Sequence, residues 1–223
     1  MVAKAVPGCW EAAAPLTLCR VRAIAAAEAL GQACSAPTRS DLVAALPLLR
    51  RAADACDVDG RIMAAANRGL WPAIETALGT GGLAEAWQAC TTLREHRGDG
   101  HVAALAAHGL GGIEVHLLAA ATKAVPPEVL RDNRGWSEEE WELASSRLTA
   151  RGLLHADGRA TDAGRTLHAA IEEQTDRLAA PPYATLSDAA LADLHGALAA
   201  CAREVVATGV LPFPNPMGLP RVA

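Results

Sequence analysis

Residues 136–165 read WSEEEWELASSRLTARGLLHADGRATDAGR, and this stretch decides the fold. Ser137 stands where an N-cap belongs, and Glu140, three residues on, can return a bond to its backbone N–H, which completes an S-x-x-E capping box. Trp136 before the cap and Trp141 inside the helix have the spacing of a hydrophobic staple. Trp141, Ala144 and Leu148 recur at helical spacing, and Gly152 supplies the stop. Leu153-Leu154 then opens a short strand that turns at Asp157-Gly158, and Thr161 caps another helix. Helix, two short strands around a DG turn and a further helix is the local layout of a winged helix-turn-helix.

The run LTARGLL-HADGRATDAGR resembles the recognition helix and wing of MarR-type regulators, whose pattern is helix, R-G-L, short wing, then T-x-x-G-R. With LREHRGDGHVAAL (93–105), EEQTDRLA (172–179) and PFPNPMGLP (212–220), the chain looks like an actinobacterial family of MarR-like winged-helix proteins. The resemblance covers residues 87–220 well and the first eighty only loosely. It implies a homodimer built on the long helices that follow the wing. It also implies further sequence ahead of the first helices, whose loss would leave apolar surface for a partner subunit.

The 223 residues carry a net charge of −5, so no global attraction draws the chain to phosphate backbones. Half of the residues (51%) are apolar, yet there is one Phe and one Tyr, so Ala, Leu and Val must fill the interior. That composition favours closely packed helices and predicts a mostly all-α protein. Cysteines 9, 19, 34, 56, 90 and 201 show no C-x-x-C pair, which fits buried reduced thiols in a cytoplasmic protein. Glu11, Arg20 and Arg22 break the N-terminal apolar stretch, and no eighteen-residue apolar window occurs, so neither a signal peptide nor a membrane span is expected. Three segments follow: an N-terminal helical bundle (1–98), the winged helix-turn-helix (99–182), and a C-terminal helix with a Pro-rich strap (183–223).

In the first segment, Pro15 opens a helix that Gly31 should stop. Thr38-x-x-Asp41 signals a second start, with Pro47 kinking it or delaying its beginning. Further helices are expected over 61–67 and from Trp71-Pro72, with a flexible break at Gly79–Gly82 and a helix over 83–96. In the later segments the helices predicted are 112–122, 126–131, 161–178 and one starting at Ser187 or Asp188. The tail from Leu211 to Pro220 cannot be helix or sheet, and Phe213 and Met217 suit a strap lying in a groove.

The densest polar cluster runs from Arg94 to His101. Capping accounts for part of it: Gly98 as a left-handed stop, and Asp99 as the cap of a following helix. The remainder suggests a site at a helix-to-helix corner, with His96 or His101 as general acid/base and Asp99 orienting an imidazole. Arg94, Arg97, His108 and Trp87 would hold a ligand there. His96, Asp99 and His101 do not have standard zinc spacing, so no metal is expected, and no P-loop or dinucleotide fingerprint implies a cofactor.

The first turns of a recognition helix enter the major groove. Here they carry Glu138, Glu139, Glu140 and Glu142, each costing about 1 kcal/mol against phosphates after screening. Helix-dipole stabilisation explains one or two of them and supplies no cation. The sequence therefore reads first as a winged-helix protein turned to binding a small molecule between its helical and winged parts, with weak or absent DNA contact. A cofactor-independent enzyme using the His96/Asp99/His101 cluster is the alternative, and a MarR-type regulator the third.

Overall fold

A computed structural model of the chain describes residues 8–78, 82–123, 125–215, 217, 219 and 221. Helices fill it. In chain order they are α1 (Gly8–Ala12), α2 (Pro15–Ala33), α3 (Ala36–Ala44), α4 (Leu46–Asp54), α5 (Ile62–Gly69), α6 (Trp71–Leu78), α7 (Leu83–Ala107), α8 (Gly112–Lys123), α9 (Pro127–Arg134), α10 (Glu138–Ala150), α11 (Asp162–Ala179), a 3-10 turn (Pro181–Thr185) and α12 (Asp188–Ala207). Residues 79–81, most of the expected break, lie outside the described residues.

Two compact units divide the chain. The first takes residues 1–96 and 181–208, and the second 97–180 and 209–223. The C-terminal helix α12 thus folds with the N-terminal helices. Leu186, Leu194, Ala197 and Cys201 join Cys34, Leu42, Leu46, Leu49 and Ala53 in one core. Polar bonds fix this return of the chain. Glu204 on α12 accepts from the Ser35 N–H at 2.5 Å, the Ser35 hydroxyl at 2.8 Å and the Thr38 hydroxyl at 2.7 Å. Those bonds, the backbone one first, hold the carboxylate below its ordinary pKa.

Local chemistry explains the early helices. Ser35, not Thr38, caps α3 by accepting from the Thr38 N–H, because its hydroxyl stands at the non-helical position. Pro47 does not kink a long helix. It sits in the first turn of α4, where a missing N–H costs nothing. Gly31 remains inside α2, which ends at Ala33. Arg50 stacks 4.1 Å over the buried Trp71 ring and pairs with Glu75 at 2.7 Å and Glu85 at 2.8 Å, tying α4 to α6 and α7.

The second unit is organised on α8, against which α9, α10 and α11 all pack. Ala104, Leu105, Leu117, Leu118, Ala144, Leu148 and Ile171 form its interior. Two expectations need correction here. The chain does not stop at Gly98: α7 is one helix through Arg94–His101, and Asp99 lies inside it and not at a helix start. Each glycine costs about 1 kcal/mol in a helix. Burial of Leu93, His96, Gly100, Ala104 and Leu105 along α7 outweighs that cost.

The two-stranded wing is also absent. Among the described residues it is a single antiparallel bridge, Leu154 to Ala160. Left-handed Gly152 (φ 70°) lies just before it and the N-cap Thr161 just after, so no residues remain to lengthen a ladder. The tail makes contacts of its own. Arg221 lies 4.9 Å over the half-buried Phe213 ring, and the Asn215 side chain accepts from the Met217 and Leu219 N–H groups. Met217 itself is exposed.

Candidate nucleic-acid interface

The helix-turn-helix is α9, a three-residue turn and α10. Leu130 anchors α9 in the interior at 2% exposure, and Gly135 ends it in the left-handed region at φ 73°, with the Trp136 N–H reaching back to the Arg131 carbonyl at 3.1 Å. Ser137 then begins α10 through the full capping box: its hydroxyl accepts from the Glu140 N–H at 3.1 Å, and Glu140 accepts from the Ser137 N–H at 2.9 Å. The Trp136 indole N–H donates to Nδ1 of His116 at 3.3 Å. Burial, with Arg134 nearby, pushes the His116 pKa down and favours the neutral, accepting imidazole.

The T-x-x-G-R signature locks the next helix onto this pair. The Thr161 hydroxyl donates to the Gly152 carbonyl at 2.7 Å and accepts from the Gly164 N–H at 3.0 Å. A Cβ at Gly164 would lie 2.1 Å from the Leu153 carbonyl oxygen, so glycine is the residue that fits. Arg165 donates to the Ala160 carbonyl at 2.6 Å. Thr161, Gly164 and Arg165 thus hold the abbreviated wing loop against α11.

α10 buries Ala144 and Leu148 and half-buries Trp141. Its opposite, solvent face carries Glu139, Glu142, Leu143, Ser146, Thr149 and Ala150, all exposed. Those positions follow the helical repeat, so they form one stripe. The stripe has two carboxylates, an apolar side chain exposed at 59% and no cation.

The arginines around it are bonded to neighbouring groups, most of them while still exposed. Arg147 bonds Glu114 at 3.0 Å, and Arg151 donates to the Gly109 and His108 carbonyls at 2.8 and 3.0 Å. Arg159 pairs with Asp157 at 2.8 Å across the turn, Arg131 with Asp132 at 3.0 Å, and Arg165 with Asp162. Burial alone would raise the Glu114 pKa. The Gly111 N–H at 2.6 Å and Arg147 outweigh it, so this carboxylate is held ionised below its ordinary value. Over residues 127–165 there are eight Asp and Glu against six Arg, a net charge of −2 on the segment that would meet DNA.

The sequence from residue 1 to 212 matches a helix-turn-helix family. The chain belongs to that family. No curated protein and no solved structure matched it. The family's fold is of the DNA-binding type, whereas the surface this helix-turn-helix protein presents on α10 is acidic.

The other candidate residues are dispersed. His96 is buried in the first unit at 2% exposure, and its carbonyl accepts from Arg61 at 2.6 Å. His101 lies five residues along the same helix, roughly 140° around its axis from His96. The imidazoles therefore diverge. His101 meets the Thr175 hydroxyl at 2.9 Å, His108 meets Gln174 at 3.3 Å, and Arg97 pairs with Asp176 at 3.0 Å, so these three form a polar seam between α7 and α11. Asp99 is half-buried, three residues beyond His96. Arg94 is exposed and paired with Glu95. In the first unit, Trp87 lies 4.8 Å under the Arg22 guanidinium, which also donates to Gln88 at 3.2 Å. Among the described residues no group of three or more His, Cys, Asp or Glu is arranged to hold a metal. No single described helix is long and apolar enough to cross a membrane.

Sequence reasoning missed a groove of about 480 Å³ in the first unit, lined by Asp41, Ala44, Leu48, Asp193, Gly196 and Ala197. Nothing local marks it, because its walls come from α3, α4 and α12. Leu143 was visible in principle: it is apolar yet out of phase with Trp141, Ala144 and Leu148.

Proposed function

We propose that this protein is a MarR-like helix-turn-helix protein whose α10 has lost its hold on DNA, and that it acts as a homodimeric small-molecule-binding protein. The solvent stripe of α10 carries this reading: Glu139, Glu142 and Leu143 occupy it, while the exposed Arg147, Arg151 and Arg159 lie off it and are bonded to Glu114, the Gly109 carbonyl and Asp157. A DNA reader needs the reverse, free cations on the groove-facing side. Converting the stripe tests it. In fluorescence anisotropy with random duplex at low salt, the native chain should give no salt-sensitive binding. Glu139→Lys with Glu142→Lys should acquire it, with a log-log salt slope steeper by up to about 0.9 for each phosphate newly contacted. A native protein already bound with a steep slope, and unaffected by the two changes, would refute the proposal.

The ligand half of the proposal rests on the first-unit groove, whose volume is in the range of small-molecule sites. Asp41 and Asp193 have no ion-pair partner among the described residues, and Leu48 with small residues forms the rest of the lining, which suits an organic cation with an apolar body. Benzylamine should raise the unfolding temperature of the native chain, and Asp41→Asn with Asp193→Asn should abolish that rise; a rise that survives both changes counts against this groove. The homodimer draws on α2, which buries only Ala23 and leaves Leu16, Val21 and Ile24 exposed. Light scattering on the purified chain, giving one or two copies, decides that point.

A further inference from the structure

Among the described residues, cysteines 19, 34, 56, 90 and 201 are free thiols. Two of them meet. Sγ of Cys34 lies 3.5 Å from Sγ of Cys201, across a sequence separation of 167. Both are core residues of the first unit, 3% and 8% exposed. Cys34 ends α2, and Cys201 lies on α12, so the pair joins the N-terminal helices to the last one.

The neighbouring bonds hold this approach in place. Ser35, next to Cys34, is bound through its N–H and hydroxyl to Glu204, one turn beyond Cys201 on the same helix. The Cys34 N–H is bonded to the Leu30 carbonyl at 3.0 Å, and the Cys34 carbonyl accepts from Arg39 at 2.5 Å. Backbone on either side is thus fixed. Closing the sulfurs to bonding distance, near 2.05 Å, requires them to approach by about 1.5 Å, within the reach of side-chain rotation.

We propose that Cys34 and Cys201 are an oxidative modification site, a dithiol that a peroxide converts into an intramolecular disulfide tying the end of α2 to α12. The chemistry takes two steps. Peroxide oxidises the Cys34 thiol to a sulfenic acid, and one water leaves. Cys201 sulfur then attacks the Cys34 sulfur, the S–O bond breaks, the S–S bond forms, and the Cys201 proton departs with the hydroxyl as a second water. Two thiols lose two electrons and two protons, and the peroxide is reduced to two waters. Burial and the adjacent Cys34 push the Cys201 thiol up to about 12, which disfavours the thiolate that a first attack on peroxide needs. Because both sulfurs are so little exposed, at 3% and 8%, peroxide access limits the first step, which is slow. The second step is helped by proximity, since its partner waits at 3.5 Å.

Reduced, full-length protein treated with hydrogen peroxide, quenched with catalase and alkylated in denaturant provides the test. Expected are an intact mass lower by two hydrogens, a Cys34–Cys201 linked peptide on mapping, faster migration on a non-reducing gel and full reversal by dithiothreitol. Cys34→Ser and Cys201→Ser should each abolish the linked peptide, and Cys90→Ser, which changes a nearby half-buried thiol, should leave it intact. Mapping of the native chain decides the matter even if a variant folds poorly. Separate alkylation of both cysteines after oxidation, a bridge between other cysteines, or accumulation of sulfinic acid at Cys34 would overturn the proposal.

Discussion

Replacing Gly164 with alanine should break the second unit at its tightest contact. An ideal Cβ there stands 2.1 Å from the Leu153 carbonyl oxygen and 3.1 Å from the carbonyl carbon. A carbon and an oxygen need a little over 3 Å, so α11 or the wing loop must shift by about 1 Å. Neither can do so freely. The Leu153 carbonyl accepts the Thr161 N–H at 3.1 Å, the Thr161 hydroxyl holds the Gly152 carbonyl at 2.7 Å, and Leu153 and Leu154 are core residues. Overpacking of this kind costs about 1–3 kcal/mol, and weakening of two hydrogen bonds adds roughly 1 kcal/mol each. Alanine returns up to about 1 kcal/mol in helix propensity, leaving a net loss of about 2–4 kcal/mol. Gly196→Ala is the control, because a Cβ there meets nothing within 4 Å. Urea unfolding followed by circular dichroism should show an early-melting unit in Gly164→Ala alone. Stability equal to the native chain would refute the close-contact explanation of the T-x-x-G-R glycine.

Other perturbations give distinct signatures. Ser137→Ala removes the acceptor for the Glu140 N–H and should cost about 1 kcal/mol, read as a small fall in the urea midpoint of the second unit. Leu148→Ala empties a site buried at 0% exposure and should cost about 2–5 kcal/mol in the same assay; a loss below 1 kcal/mol would contradict the packing described. His116 gives a pH test. Its folded pKa is depressed below 6.5, so below that pH the unfolded chain takes up a proton that the folded chain refuses. The stabilisation is complete above pH 6.5 and is lost as pH falls through the folded pKa. His116→Gln should remove that part of the acid sensitivity, and an unchanged stability-against-pH curve would show that His116 contributes none of it.

The elements legible in the sequence were those set by short-range chemistry. Ser137 with Glu140, Thr161, Ser187 and Pro15 each mark a helix start because a side-chain oxygen or a fixed φ acts within four residues. The helix-turn-helix followed from them. Elements decided by distant packing read wrongly. Gly98 and Asp99 look like a stop and a cap, yet α7 continues because burial beyond them exceeds the glycine penalty. That single difference also undoes the convergence of His96 and His101, which needed a corner. The acidity of α10 was readable, but the bonding of Arg147 and Arg151 depends on Glu114 and on the carbonyls at 108–109, more than thirty residues away. The approach of Cys34 to Cys201 was equally hidden.

The most direct measurement is a titration of fluorescein-labelled duplex DNA, random and genomic in sequence, with the native protein across 50–200 mM salt. An acidic, cation-poor recognition stripe predicts flat anisotropy with no salt-dependent component. Tight, sequence-selective binding that weakens steeply with salt would contradict it and return the chain to the DNA-reading members of its fold.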